Sequence, residues 1–282
     1  MGIKVIAVTG AGIMGGGIAQ AAAQSGYEVL IEDARPEAVS ECLSSITKRL
    51  ERRVSEGKIA QQEKNEVLSH LKSSSSLDDC AGAGLVIEAV TEREDIKKEL
   101  FRELDAICPA ETIFASNTSS IPITRLAEAT KRPDRFTGMH FMNPAYIMKL
   151  VEIAGGDKTS GKTIAAVRSV CEQMGKVPVV VKDLPGFVSN RVLMPLINEA
   201  VFCLQDGVAS REDIDTIMKL GANHPMGPLE LADFIGIDTC LEILDVLRAG
   251  LGEKFDACPL LRKMVAAGRL GRKSGEGFYD YR

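Results

Sequence analysis

The chain has 282 residues, 45% of them hydrophobic and 26% charged, with a net charge of −5 at neutral pH. That length exceeds the usual single core, so two domains are expected, and the composition is that of a globular rather than a disordered chain. The acidic balance, with no basic run interleaved with aromatics, argues against nucleic acid as the main partner.

Taken in chain order, short β-rich runs alternate with helical stretches. "KVIAVTG" (4–10) reads as a buried strand, followed by a helix from about Ile13 to Ser25 and a second strand, "YEVLIED" (27–33). An amphipathic helix is predicted from Pro36 to about Gly57, and a further helical piece to near Leu71, before a polar loop, "SSSS" (73–76). Then come "LVIEAV" (85–90), a helix over 95–107, "TIFASN" (112–117), "FTGMHF" (136–141), "KLVEIAG" (149–155), a helix over 160–174 and "VPVVVKD" (177–183). Such alternation, with continuously apolar strands, predicts a parallel sheet covered on both faces: α/β, a Rossmann-type doubly wound fold. After "LPG" (184–186) only helical periodicity and turns remain. The division expected is therefore an α/β domain over 1–183 and an all-helical domain over 184–282.

Seven cysteines (Cys42, Cys80, Cys108, Cys171, Cys203, Cys240, Cys258) are scattered, with no CxxC pair. They read as reduced thiols, with neither a disulfide framework nor a metal site. The first strand begins too early for a leader, and no apolar stretch nears the roughly 18–20 residues that span a bilayer. A cytoplasmic location is expected.

"VTGAGIMGGG" sets Gly10, Gly12 and Gly15 in a G-x-G-x-x-G frame between a strand and a helix. The first glycine allows the turn, the second lets backbone approach a pyrophosphate, and the third lets helix and strand pack. The helix N-terminus offers its free N–H groups to phosphate. Asp33, eighteen residues beyond Gly15, supplies a carboxylate for ribose hydroxyls, which favours NAD over NADP. Arg35 could instead meet a 2′-phosphate.

"ASNTSSIPIT" (115–124) follows a strand, so its hydroxyls lie at the ligand-binding edge of the sheet. Ser119 or Ser120 either contacts a ligand or caps the helix near Pro122. Strand alternation puts Glu152 on an apolar face, where it needs a partner, and His140 on the preceding strand is a candidate; a solvated strand end is the alternative. Asn190 interrupts an apolar stripe formed by Phe187, Met194, Ile197 and Val201, and serves either domain packing or a cleft. A His–Glu pair beside a nicotinamide suits hydride transfer at a secondary alcohol or ketone.

Seven ordered blocks carry a more specific likeness: "GAGIMGGGIAQ", "IEAVTE", "ASNTSS", "HFMNPAYIMKLVE", "PGFVSNR", "MKLGANHPMGPLELAD" and "GRKSGEGFYDY". Together they resemble the 3-hydroxyacyl-CoA dehydrogenase family, in particular its stand-alone bacterial form. The resemblance implies an NAD-dependent, dimeric, two-domain enzyme interconverting (S)-3-hydroxybutyryl-CoA, or another short-chain 3-hydroxyacyl-CoA, and acetoacetyl-CoA. It further implies that His140 is the base, Glu152 its partner, and Ser119 and Asn190 the substrate contacts. On the cofactor side it implies Gly10, Gly12, Ile13, Met14, Gly15, Asp33, Glu92, Lys97, Ser119, Asn143 and Lys273. Lys48, Arg49, Arg52 and Arg53 form a basic helix face that could meet coenzyme A phosphates, Arg52 foremost, or be a solvated face with Glu–Arg pairs. Met142, Tyr146 and Glu56 depart from the family pattern. A dehydrogenase of a free hydroxy or sugar acid, or a non-catalytic structural protein on the same fold, is the alternative. The helical domain, through 218–238, is the expected dimer surface.

Overall fold

A computed structural model describes residues 2–282. The chain forms two compact units, the first ending at Asp183 and the second running Leu184–Arg282.

The first unit is built on eight strands: β1 (Val5–Thr9), β2 (Glu28–Glu32), β3 (Leu71–Ser73), β4 (Leu85–Glu88), β5 (Ile113–Ser116), β6 (Phe136–Phe141), β7 (Leu150–Gly155) and β8 (Val177–Lys182). They lie in the order β3-β2-β1-β4-β5-β6-β7-β8. Helices α1 (Ile13–Gln24), α2 (Pro36–Ser55), α3 (Gln61–Ser69), α4 (Glu94–Ile107), α5 (Ile123–Ala127) and α6 (Gly161–Gln173) connect them. The order reverses between β1, which pairs with both β2 and β4, and such a switch point opens a crevice at the carboxyl ends of the strands.

Alternation along each strand sorts the two faces. Ile6, Val8, Val29, Ile31, Leu85 and Ile87 pack with Ile18 of α1 and Ile46 and Leu50 of α2 in one core. On the other face Phe101 of α4 meets Phe114 and Phe136, with ring centroids 5.8 and 4.6 Å away.

Three local readings need correction. Leu71–Ser73, expected as helix end and loop, is the edge strand β3, with Leu71 opposite Val29. Three residues are too few to show a period of two. The sheet is not wholly parallel: β6 and β7 are antiparallel, because residues 142–149 are too few for a parallel crossover of about a dozen residues or more. Finally, neither Ser119 nor Ser120 caps α5. Its first N–H groups are taken by Asp183, which accepts from Ile123 N and Thr124 N at 2.8 Å each and from Thr124 Oγ1 at 2.8 Å. Pro178 sits in β8, the outermost strand, where a missing ladder donor is tolerated.

The second unit is helical: α7 (Ser189–Gln205), α8 (Arg211–Gly221), α9 (Pro228–Ile235), α10 (Ile237–Leu251) and α11 (Pro259–Ala266). Met194, Ile197 and Val201 of α7 pack with Leu229, Leu244, Leu247 and Leu261. Two buried aspartates stitch its loops. Asp215 accepts from Leu229 N and Glu230 N at the start of α9, and Asp233 accepts from Phe278 N and Tyr279 N. The closing block of the chain, "GRKSGEGFYDY", is thereby tied to α9. Among the described residues no helix is long and apolar enough to cross a membrane, and no acid–His–Cys group could hold a metal. All seven cysteines are free thiols.

Candidate functional site

Parallel strands deliver their carboxyl ends to one edge of the sheet. That edge receives the loop after β1, the Val90–Glu92 turn after β4, the Asn117–Ser120 turn after β5, and the end of β6.

In the first loop Gly10 has φ +99°, and a Cβ there would fall 2.6 Å from the Ala89 carbonyl. A Cβ on Gly15 would meet the Gly10 carbonyl oxygen at 1.7 Å. Both glycines are required sterically. Gly12 is different: a Cβ there would meet nothing within 4 Å, and Gly12 is the N-cap of α1, with no side chain capping the helix. The loop thus presents backbone and an uncapped helix end to open space, the arrangement a pyrophosphate fits. Ile13, in the same turn, is 83% exposed. Asp33 follows β2 and braces the loop, accepting from Ala11 N at 2.8 Å and Arg35 N at 3.0 Å. The Arg35 guanidinium is mostly exposed, with Nε 3.9 Å from Asp33.

A buried ionic network lies beneath the next two loops. Lys97, 1% exposed, places Nζ 2.5 Å from Glu88 and 3.2 Å from Glu92. Lys97 is therefore no solvated lysine. Glu88 also accepts from Ser116 Oγ at 2.6 Å and Val90 N at 2.7 Å, and burial pushes its pKa up despite those partners. Glu92 accepts from Thr118 Oγ1, Ser119 N, Ser120 N and Ser120 Oγ. Burial works to raise the pKa of Glu92 too, but the Lys97 charge and these donors outweigh it and hold it low. On the far side of the same turn, Asn117 Oδ1 accepts from Phe141 N at 2.9 Å. The turn carrying Ser119 is held from two directions.

His140 on β6 stands opposite Glu152 in the antiparallel register, so both side chains share one face. The imidazole Nδ1 is 2.8 Å from Glu152 Oε2, and both residues are buried. The expected partner of Glu152 is thus the histidine. Asn143, two residues beyond β6, is exposed. Arg49 lies over the Tyr146 ring at 4.9 Å and donates to Gln20 at 2.9 Å. Arg52 is paired with Glu56 at 2.8 Å on the exposed side of α2, as the solvated-face alternative describes.

Two candidates belong to the second unit. Asn190 is buried in the first turn of α7, just after Gly186 and Phe187, both with positive φ. Lys273, in the turn Arg272–Ser274, is ion-paired with Asp238 at 2.5 Å.

Sequence reasoning passed over Glu88, Asn117 and Asp183. A signal existed for Glu88, a charge closing the otherwise apolar "LVIE" run. The roles of Asn117 and Asp183 depend on partners 24 and about 60 residues away, which no local pattern reveals.

Residues 5–184 match the family model described as 3-hydroxyacyl-CoA dehydrogenase, NAD binding domain, and residues 186–281 match the C-terminal domain of the same family. The chain is 55% identical over 282 residues to a probable 3-hydroxybutyryl-CoA dehydrogenase of Bacillus subtilis (strain 168), covering 100% of this chain and 98% of that protein. It is 49% identical over 277 residues to a 3-hydroxybutyryl-CoA dehydrogenase of Clostridioides difficile, covering 98% and 99%. The crystal structure of (S)-3-hydroxybutyryl-CoA dehydrogenase from Ralstonia eutropha matches with a TM-score of 0.96 at 47% identity, covering 99% of each chain.

Proposed function

The chain belongs to the 3-hydroxyacyl-CoA dehydrogenase family, and from that premise we propose that it interconverts (S)-3-hydroxybutyryl-CoA and acetoacetyl-CoA, or short-chain analogues, with NAD(H). The observation that carries this reading is the buried His140–Glu152 pair at the sheet edge that also bears the glycine loop.

Gly10, Gly12, Ile13, Met14 and Gly15 hold the dinucleotide phosphates, Asp33 the adenosine ribose, and Glu92, Lys97, Ser119, Asn143 and Lys273 complete the cofactor site. Glu92 and Lys97 act partly by fixing the loop beneath it. When bound there, NAD(H) would supply the hydride chemistry at C3 of the substrate in either direction.

The protein supplies the proton chemistry. Glu152 accepts a hydrogen bond from Nδ1–H of His140 and fixes the tautomer, leaving Nε2 to take the hydroxyl proton. The carboxylate then stabilises the imidazolium, which in reverse protonates the ketone oxygen. Ser119 and Asn190 position the 3-oxygen and the thioester region. Arg52 serves the coenzyme A phosphates by exchanging its exposed Glu56 partner, a weak bond to give up.

A cytoplasmic homodimer is part of the same reading. Ile217, Leu220 and Phe234 of the helical unit are 60, 82 and 45% exposed, the kind of apolar surface a second copy covers. A monomer in solution scattering would overturn that part alone.

The test of function follows NADH consumption with acetoacetyl-CoA and, separately, with free acetoacetate. Turnover of the thioester alone is expected. Turnover of the free acid, or of neither, would refute the assignment.

A further inference from the structure

Beside the glycine loop a cavity of about 600 Å³ is lined by Gly10, Gly12, Glu32, Asp33, Glu99 and Glu103, among others. Asp33 has its expected task there. Glu32, the residue before it, has none in the fold. It is the last residue of β2 and only 7% exposed. Its carboxylate opens only on the cavity and, among the described residues, makes no hydrogen bond and no ion pair, although a carboxylate on so buried a residue is ordinarily paired. Its neighbour on the same face of β2, two residues back, is the apolar Leu30.

The surroundings give no compensation. Opposite Glu32 in register stands Thr9, whose hydroxyl is itself buried without a partner. The buried charge of α4, Lys97, is taken by Glu88 and Glu92. From its own strand end Glu32 faces Asp33, and from α4 it faces Glu103. Glu99, lining the same cavity, is paired with Arg102 at 2.6 Å. The turn Leu77–Gly82 adds Cys80, a thiol pushed up to about 12 by burial and therefore neutral, and Asp79, which accepts from Ser74. Arg35 lines the same cavity, but its guanidinium is set against Asp33, at 3.9 Å, and makes no ion pair with Glu32.

We propose that Glu32 is a second cofactor-specificity residue: its buried, unpartnered carboxylate at the adenosine side of the cavity penalises a 2′-phosphorylated dinucleotide and couples cofactor binding to uptake of a proton. The proposal rests on the dinucleotide reading of this cavity. Burial, Asp33 and Glu103 push the Glu32 carboxyl up to about 7. It is neutral below that pH and anionic above it. Binding an anion beside it favours the neutral form, so affinity falls as pH rises through 7. A 2′-phosphate adds nearly two further charges and is penalised more.

The experiment measures dissociation constants of NADH and NADPH by fluorescence titration from pH 6 to 9, for the parent protein and E32Q. For the parent, NADH binding should weaken by a factor on the order of ten across that range, and for E32Q it should stay flat. At pH 8.5 the preference for NADH over NADPH should shrink on the order of tenfold in E32Q, with a smaller change at pH 6. An unaltered preference together with an unaltered pH profile would overturn the proposal. Should E32Q not fold, calorimetry of NADH binding to the parent in two buffers of different ionisation enthalpy decides: net proton uptake near pH 7 is expected, and none would overturn it. Failure of the parent to bind NADH at any pH is a separate result, and removes the dinucleotide reading itself.

Discussion

Replacing Lys97 with methionine keeps the length of the side chain and removes its charge. In the native protein that charge, 1% exposed, answers two carboxylates, Glu88 at 2.5 Å and Glu92 at 3.2 Å. Breaking a buried ion pair by removing one partner costs about 3–5 kcal/mol, because the remaining charge stays desolvated. For a chain of this size that is a Tm lower by roughly 10 °C. The pH dependence is the sharper test. Burial already raises the Glu88 pKa in the native state, and without Lys97 it rises further. Above the unfolded-state value of about 4.3 the native variant holds a proton that the unfolded chain has released, so stability falls as pH climbs toward the native pKa. The penalty measured by urea unfolding should therefore be larger at pH 8 than at pH 5. A second variant, E88Q/K97M, should recover part of the loss, since a neutral pair is cheaper to bury than a lone carboxylate. A K97M penalty below about 1 kcal/mol, or one that grows on acidification, would refute the account.

The H140Q variant should lose turnover by about 10²–10⁴-fold while NADH affinity stays within about twofold, and unchanged turnover would sink the role given to the imidazole. E152Q should retain the ring but lose its charged partner, so turnover should fall while NADH affinity holds; unchanged turnover would count against the role given to Glu152. Asp183→Ala removes three hydrogen bonds from the start of α5 and should cost about 1–2 kcal/mol in denaturant unfolding, with a loss under about 0.5 kcal/mol arguing that α5 is held otherwise.

Long-period features of the fold were legible in the residues. The strands "KVIAVTG" and "FTGMHF" declare themselves by apolar continuity, and β6 runs over Phe136–Phe141 as read. The glycine frame specifies its turn because each of Gly10 and Gly15 excludes a side chain. What escaped was what depends on distant partners. β3 is three residues that become a strand only because β2 offers an edge. The antiparallel turn of β7 follows from a short connection, not from any periodicity. At the site, His140 and Glu152 could be paired on paper because strand alternation puts Glu152 on an apolar face that demands a partner. Lys97 could not be read so: a lysine on a charged amphipathic helix looks solvated until Glu88, nine residues upstream, turns out to be buried beside it.

The cost of that buried network has a structural reason. The turn bearing Ser119 contains no element of its own between β5 and α5, and its own hydroxyls could satisfy its backbone in several conformations. Glu92 removes that freedom by collecting the Thr118, Ser119 and Ser120 donors at once. Lys97 keeps Glu92 ionised, and so able to accept them all, while Asn117 ties the same turn to Phe141, the neighbour of His140 on β6. Ser119 is thereby fixed within its turn by Glu92, and the turn is set with respect to the strand of the imidazole by the Asn117–Phe141 bond. A purely apolar packing under the turn would be cheaper to fold, but it would leave the hydroxyl without a fixed direction.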